Sequence, residues 1–147
     1  MLSLLVNNAL AIPSSYKNTL AAKTDSLIVS NSGPCVVNRK TNCVCSSNFN
    51  VDECDNTATT GTGGTGNHED CDIEFSETVE LAVPYFSSEQ NWDKLYVDHH
   101  CSNQARDTGV YDGAGDGLDG SKACHMHWRT DGSVASGGFK ICGVSLW

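Results

Sequence analysis

Eight cysteines in a chain of 147 residues constrain its fold more than any other feature of the sequence. Their spacing does not repeat the CxxC pairs of a zinc ribbon, and an even number of cysteines is typical of disulfide-bonded proteins from oxidising compartments. The sequence therefore predicts a secreted or cell-surface protein, with the lumen of an organelle as the alternative.

Four disulfides are expected. The pairs we predict are Cys35 with Cys142, Cys43 with Cys71, Cys45 with Cys54, and Cys101 with Cys124. Eight cysteines allow about 100 pairings, so the sequence alone leaves the other connectivities open.

The charge of the chain limits its partners. Acidic residues outnumber basic ones 18 to 9, which gives a formal net charge of -9. A phosphate backbone or an anionic membrane surface would be repelled, so nucleic acid is not an expected partner. No apolar run approaches the roughly 20 residues of a membrane span, and the N-terminal run is a poor signal peptide. Proteins, sugars and cations remain as candidate partners.

The chain divides into two parts by composition. Residues 1–30 hold no cysteine and are interpreted as a leader or an arm that packs on a neighbour. Residues 31–147 carry all eight cysteines and form the predicted domain, in which the Gly- and Thr-rich stretch 56–69 is expected to be a mobile insertion.

Apolar residues alternate with polar ones along four stretches of the domain, as in half-buried strands. Asp93 should share a face with Leu95 and Val97, and the face that holds His125 and His127 should lie opposite a buried one. Helical periodicity is almost absent. The pattern predicts an all-β sandwich of antiparallel strands cross-linked by disulfides.

The same alternation predicts which tryptophans are buried. We expect Trp128 and Phe139 to anchor the core across two sheets, and Trp92 to be buried. Trp147 is the last residue, and the sequence leaves its burial open.

Several short motifs recur in a familiar order. They are SGPC at 32–35, NC at 42–43, CDI at 71–73, FSSE at 86–89, WDKL at 92–95 and HWRTDGSVASGGFKIC at 127–142. Their order and spacing over residues 32–142 resemble the CUB domain family, most closely the compact CUB-like modules of algal and protist surface proteins. The resemblance implies a jelly-roll-like β-sandwich. The chain departs from the family at SSNFN, 46–50, in its Gly/Thr-rich insertion and in four additional cysteines.

The resemblance also implies a calcium site at Glu89, Asp93 and Asp131, completed near Gly132 and Ser133. Three converging carboxylates repel one another, and a calcium ion with oxygen ligands at about 2.3–2.6 Å removes that repulsion. The alternative is an ordinary type I′ turn at Asp131 and Gly132, a solvated Glu89, and an Asp93 that accepts hydrogen bonds from backbone amides.

In the family, such a calcium ion orders loops that receive a basic side chain, often Lys, from a protein partner. The resemblance thus implies a calcium-dependent binding module, and we expect Glu89, Asp131 and the terminal Trp147 to contact the partner. A glycan is the less favoured ligand. A second hypothesis is a structural subunit of an extracellular matrix, filament or larger complex that docks on other subunits through residues 1–30.

A zinc-dependent enzyme is the third hypothesis. His125 and His127 share a strand face and offer half of a zinc site, with HHC at 99–101 nearby in the fold. Against zinc, Cys101 and Cys124 are natural disulfide partners. There is no Gly-x-Ser-x-Gly elbow and no cysteine left over as a nucleophile, so we expect binding rather than catalysis.

Overall fold

A computed structural model of the chain describes residues 25–58, 65–99, 101, 108–135 and 137–147. These residues form eight strands and one short 3-10 helix, Val51–Glu53. The strands are β1 Ile28–Ser32, β2 Val36–Asn38, β3 Cys43–Cys45, β4 Asp70–Ser87, β5 Lys94–Asp98, β6 Thr108–Tyr111, β7 Lys122–Arg129 and β8 Gly138–Ser145. Every strand pair is antiparallel, which confirms the all-β prediction.

The long strand β4 belongs to both layers of the sandwich. Its first part pairs with β1 and β7, and its second part pairs with β8. The pairing register shifts between Glu74 and Val79, and again between Ala82 and Tyr85, around Pro84. Such irregularities bend a strand. One layer therefore consists of β1, β4, β7, β5 and β6, and the other of β2, β3, β8 and the end of β4.

The core lies between the two layers. Trp128 of β7 and Phe139 of β8 are both fully buried, and their ring centroids are 5.0 Å apart in an edge-to-face contact. Phe86 of β4 packs against both rings. The prediction that Trp128 and Phe139 anchor the core is thus confirmed.

The sandwich begins earlier in the chain than the sequence indicated. Ile28 is only 1% exposed, and β1 pairs with β4 across the boundary expected at residue 30. Residues 1–24 of the expected arm lie outside the described part of the chain, as do residues 59–64 of the Gly/Thr-rich insertion. The described end of that insertion is anchored, because Thr65 and Glu69 are both buried.

All eight cysteines form disulfides. The pairs Cys45–Cys54 and Cys101–Cys124 are confirmed. The predicted pairs Cys35 with Cys142 and Cys43 with Cys71 are wrong, because the structure joins Cys35 to Cys71 and Cys43 to Cys142.

Strand register explains this correction. Cys43 of β3 lies directly opposite Cys142 of β8. Near Cys35, the chain passes so close to the start of β4 that a Cβ atom on Gly33 would lie 1.9 Å from the Asp70 carbonyl oxygen. Gly33 has a φ of +84°, a conformation that favours glycine, and this approach brings Cys35 to Cys71.

Candidate functional site

A tight turn at residues 89–93 connects β4 to β5. The carbonyl oxygen of Glu89 accepts hydrogen bonds from the backbone N–H groups of Trp92, at 3.3 Å, and Asp93, at 3.1 Å. Asn91 adopts a φ of 73°, which asparagine tolerates better than most residues, and its N–H donates to Asp112 Oδ2 at 2.8 Å. The turn therefore brings the side chains of Glu89 and Asp93 to the same end of the sandwich.

Asp93 connects this turn to the loop after β7. Only 1% of it is exposed, and it lies on the buried side of its strand with Leu95 and Val97, as predicted. Its carboxylate accepts hydrogen bonds from the backbone N–H of Glu89, at 3.4 Å, and of Asp131, at 3.2 Å. The predicted alternative role of Asp93 as an acceptor for backbone amides is therefore also present.

Glu89 lacks such partners. Its Oε2 atom is buried and has no hydrogen-bond donor among the described residues, although part of the side chain is exposed. One carboxylate oxygen each from Glu89, Asp93 and Asp131 lie within 4.8 Å of one another. Burial, and then the charges of Asp131 and Asp93, raise the pKa of Glu89. The three predicted carboxylates thus converge, and no described residue donates a hydrogen bond to the buried Oε2 of Glu89.

Asp131 does not belong to a type I′ turn. That turn needs positive φ at both central residues, and neither Asp131 nor Gly132 has it. The backbone N–H of Ser133 instead donates to Asp131 Oδ1 at 2.9 Å, and the Ser133 hydroxyl lies 3.4 Å from both carboxylate oxygens. Ser133, expected near the metal, therefore contacts the site through Asp131 and fixes the orientation of its carboxylate.

An open cavity of about 490 Å³ adjoins Asp131. Trp92 lines it and is 63% exposed, so the expectation that Trp92 is buried is wrong. The reason is local: Trp92 belongs to the turn that precedes β5, and strand alternation does not apply to it. Two basic residues of the sheet, Lys94 and Arg129, line the same cavity.

Trp147 is 98% exposed but lies far from the three carboxylates. Strand β8 starts opposite Ser87, close to Glu89, and ends opposite Val79. Eight residues of strand separate these ends, which corresponds to about 25 Å. Trp147 therefore lies on a different part of the surface from Glu89 and Asp131, the other two residues predicted to contact the partner.

The imidazoles proposed for zinc have neighbours other than those expected. The disulfide between Cys101 and Cys124 removes both thiols as ligands. His125 and His127 lie instead beside carboxylates of the neighbouring strands, among them Asp72. A hydrogen bond with His127 is the largest cause that lowers the pKa of Asp72.

Sequence reasoning missed these carboxylates, although a signal was present. From Asp70 to Phe75 acids alternate strictly with Cys71, Ile73 and Phe75, a pattern that places Asp70, Asp72 and Glu74 on the outer face of β4. Glu69 was missed as well. Its Oε2 accepts a 2.8 Å hydrogen bond from the indole N–H of the buried Trp128.

No helix in the described ranges has the length and apolar character needed to cross a lipid bilayer. Comparisons of the chain with protein-family models, with curated proteins and with solved structures find no match, so the similarity to CUB domains depends on the motifs quoted above.

Proposed function

We propose that the protein is a secreted or cell-surface binding module whose binding site is ordered by calcium held between Glu89, Asp93 and Asp131. The observation that carries the proposal is the buried Oε2 of Glu89, which has no donor among the described residues and lies beside two further carboxylates. A buried charge without a partner is costly, and a cation supplies the missing partner.

The donor set favours calcium over other cations. All three side chains offer carboxylate oxygen, which is the ligand type of hard cations. Calcium accepts six to eight oxygens in flexible geometry, so backbone carbonyls, water or a partner can complete the shell. The same three positions are the calcium ligands implied by the CUB resemblance.

Calcium at this position would hold two loops together. Glu89 and Asp93 belong to the turn that carries the exposed Trp92, and Asp131 belongs to the loop that follows β7. A cation bound between them would fix the indole of Trp92 at the edge of the adjoining cavity. The proposed function is recognition of a partner at the edge of this cavity. Binding of the partner would depend on calcium because calcium fixes the two loops.

Four disulfides support a place outside the reducing cytosol. The protein partner with a basic side chain stays a prediction, and so does the absence of catalysis. The structural-subunit hypothesis depends on the N-terminal arm, whose residues 1–24 lie outside the described ranges.

Calorimetric titration with calcium tests the proposal. We expect one calcium ion per wild-type chain and no measurable binding to Asp131→Ala. The matched control is Asp52→Ala, which removes an exposed acid from the 3-10 helix and should bind calcium as the wild type does. Equal calcium binding by wild type and Asp131→Ala would contradict the proposed site.

A further inference from the structure

A second candidate metal site lies on the outer face of the larger layer, away from the three calcium-site carboxylates. Outward-facing residues of β4, β7 and β5 form three rows across this face. In the middle row Asp72 lies opposite His127, which lies opposite Tyr96. In the next row Glu74 lies opposite His125, which lies opposite Asp98. The strand register thus places the two imidazoles between Asp72 and Glu74 of β4 on one side and Tyr96 and Asp98 of β5 on the other.

One oxygen atom lies between the two imidazoles. Oδ1 of Asp72 is 3.0 Å from Nε2 of His125 and 2.9 Å from Nδ1 of His127. Tetrahedral ligands at about 2.0–2.2 Å from one zinc ion are about 3.3–3.6 Å apart, so a small movement of Asp72 away from His127 would open this pair from hydrogen-bond length to ligand spacing.

The other nitrogen of each imidazole faces a carboxylate of its own. Nδ1 of His125 is 3.6 Å from Oδ2 of Asp98, and Nε2 of His127 is 3.4 Å from Oδ1 of Asp70. His125 thus lies between Asp98 and Asp72, as an outer residue does when it positions a ligating carboxylate. Oδ1 of Asp98 is in turn held by the Thr108 hydroxyl at 2.7 Å.

Charge and space at this face also suit a cation. Among the described residues, Asp70, Asp72 and Asp98 form ion pairs only with the two histidines. Arg129 is opposite Asp70 in the third row, but in the described part of the chain no Lys or Arg nitrogen lies within 4 Å of these carboxylate oxygens. An open cavity of about 390 Å³ is lined by Asp72, Asp98, both histidines, Tyr96 and Thr108. The cavity leaves room for a water molecule or a small ligand beside a bound ion.

We propose that Asp70, Asp72 and His127, whose ligand atoms lie within 4.8 Å of one another, bind a zinc-class divalent cation, with His125 as the outer residue that bonds to Asp72. Imidazole nitrogen selects zinc, copper or nickel over calcium, which takes oxygen ligands. The two candidate sites therefore differ in chemistry. Glu89, Asp93 and Asp131 offer only oxygen ligands, and the site on the outer face of the larger layer offers both nitrogen and oxygen. This inference is independent of the calcium proposal.

The test is a calorimetric titration with zinc in the presence of saturating calcium. We expect one zinc ion per wild-type chain and loss of that binding in the double variant His125→Gln, His127→Gln. His125→Gln alone should retain binding but weaken it by about 10- to 100-fold, as loss of an outer hydrogen-bond partner does. Circular dichroism spectra and melting midpoints without zinc should match those of the wild type, which shows that the variants are folded.

His99→Gln is the matched control, because the ring of His99 bonds to the carbonyl of Lys122 and does not line the cavity. It should bind zinc as the wild type does. NMR gives a second readout: zinc should shift the imidazole ring C–H resonances of His125 and His127 but not those of His99. Zinc binding that survives in the double variant, or that calcium displaces, would overturn the proposal.

Discussion

The carboxylate of Asp93 accepts a hydrogen bond of 3.2 Å from the backbone N–H of Asp131, across 38 residues of sequence. This contact fixes the loop after β7 against the turn before β5, and Glu89 N–H bonds to the other oxygen of the same carboxylate. Asp93 therefore holds Glu89 and Asp131 close together even without a cation. We expect the calcium site to be largely preformed, so that calcium binding orders loops but does not assemble them.

Glu89→Gln should have opposite effects with and without calcium. In chelator the variant should melt at a higher temperature than wild type, because the raised pKa of Glu89 means that its charge destabilises the folded state at neutral pH. In calcium the order should reverse, since Gln lacks the carboxylate. Thermal melting in both conditions measures this, with the exposed Glu80→Gln as control. A variant less stable than wild type in chelator would show that Glu89 has a compensating partner.

Asp55 should make the stability of the folded protein depend on pH in the acidic range. Hydrogen bonds with Thr57, and then the interaction with the buried Lys140, lower the pKa of Asp55 below its ordinary 3.8. A lowered carboxyl pKa contributes stability that is present above the unfolded-state pKa and is lost as the pH falls through the folded-state pKa. Wild type should therefore be more stable than Asp55→Asn at pH 7, and the difference should shrink on acidification below 3.8.

Urea denaturation of both proteins at a series of pH values measures that difference. Asp52→Asn, three residues away and exposed, is the control and should follow the wild-type profile. A stability difference between wild type and Asp55→Asn that stays constant on acidification would contradict the assignment.

Trp128→Phe should destabilise the fold although the ring position stays filled. The substitution removes the indole N–H that donates to Glu69 Oε2 at 2.8 Å and leaves space next to Phe139. We expect a loss of about 2–4 kcal/mol in the free energy of unfolding, measured in urea. The exposed Trp92→Phe is the matched control and should change it by less than about 0.5 kcal/mol. Equal effects of the two substitutions would show that the Trp128 hydrogen bond contributes nothing.

The disulfides differ in the length of the loops that they close. Cys43 and Cys142 are 99 residues apart, and Cys45 and Cys54 are 9 apart. Loop-closure entropy predicts that replacing the first pair by Ala costs about 4.7 kcal/mol, and the second about 2.6 kcal/mol. Chemical denaturation of the two double variants checks the order, and non-reducing peptide mapping checks the pairs. Recovery of a peptide that joins Cys35 to Cys142 would contradict the structure.

Local pattern predicted the features that depend on strand parity. Alternation placed Asp93 on the buried side with Leu95 and Val97, and Trp128 in the core. The convergence of Glu89 and Asp93 with Asp131 was predicted through the CUB resemblance, because parity does not tell which loops meet at one end of a sandwich.

The missed features depend on contacts between distant segments. The partner of Cys43 is set by the register of β3 against β8, and the partner of Cys71 by the close approach of Gly33 to the start of β4. Lys140 is fully buried although it carries a charge, because its ammonium reaches Asp55 and Thr57 across the layer. None of these contacts leaves a periodic signal in the sequence.

Thermal melting of the wild-type protein in excess calcium and in chelator is the simplest test of calcium binding between Glu89, Asp93 and Asp131. With calcium at about 100 times its dissociation constant, binding to the folded state alone adds about 2.7 kcal/mol of stability. For a chain of this size that corresponds to a rise of about 5–10 °C in the melting midpoint. We predict such a rise for the wild type and none for Asp131→Ala. A wild-type midpoint that is the same in calcium and in chelator would contradict calcium binding at this site.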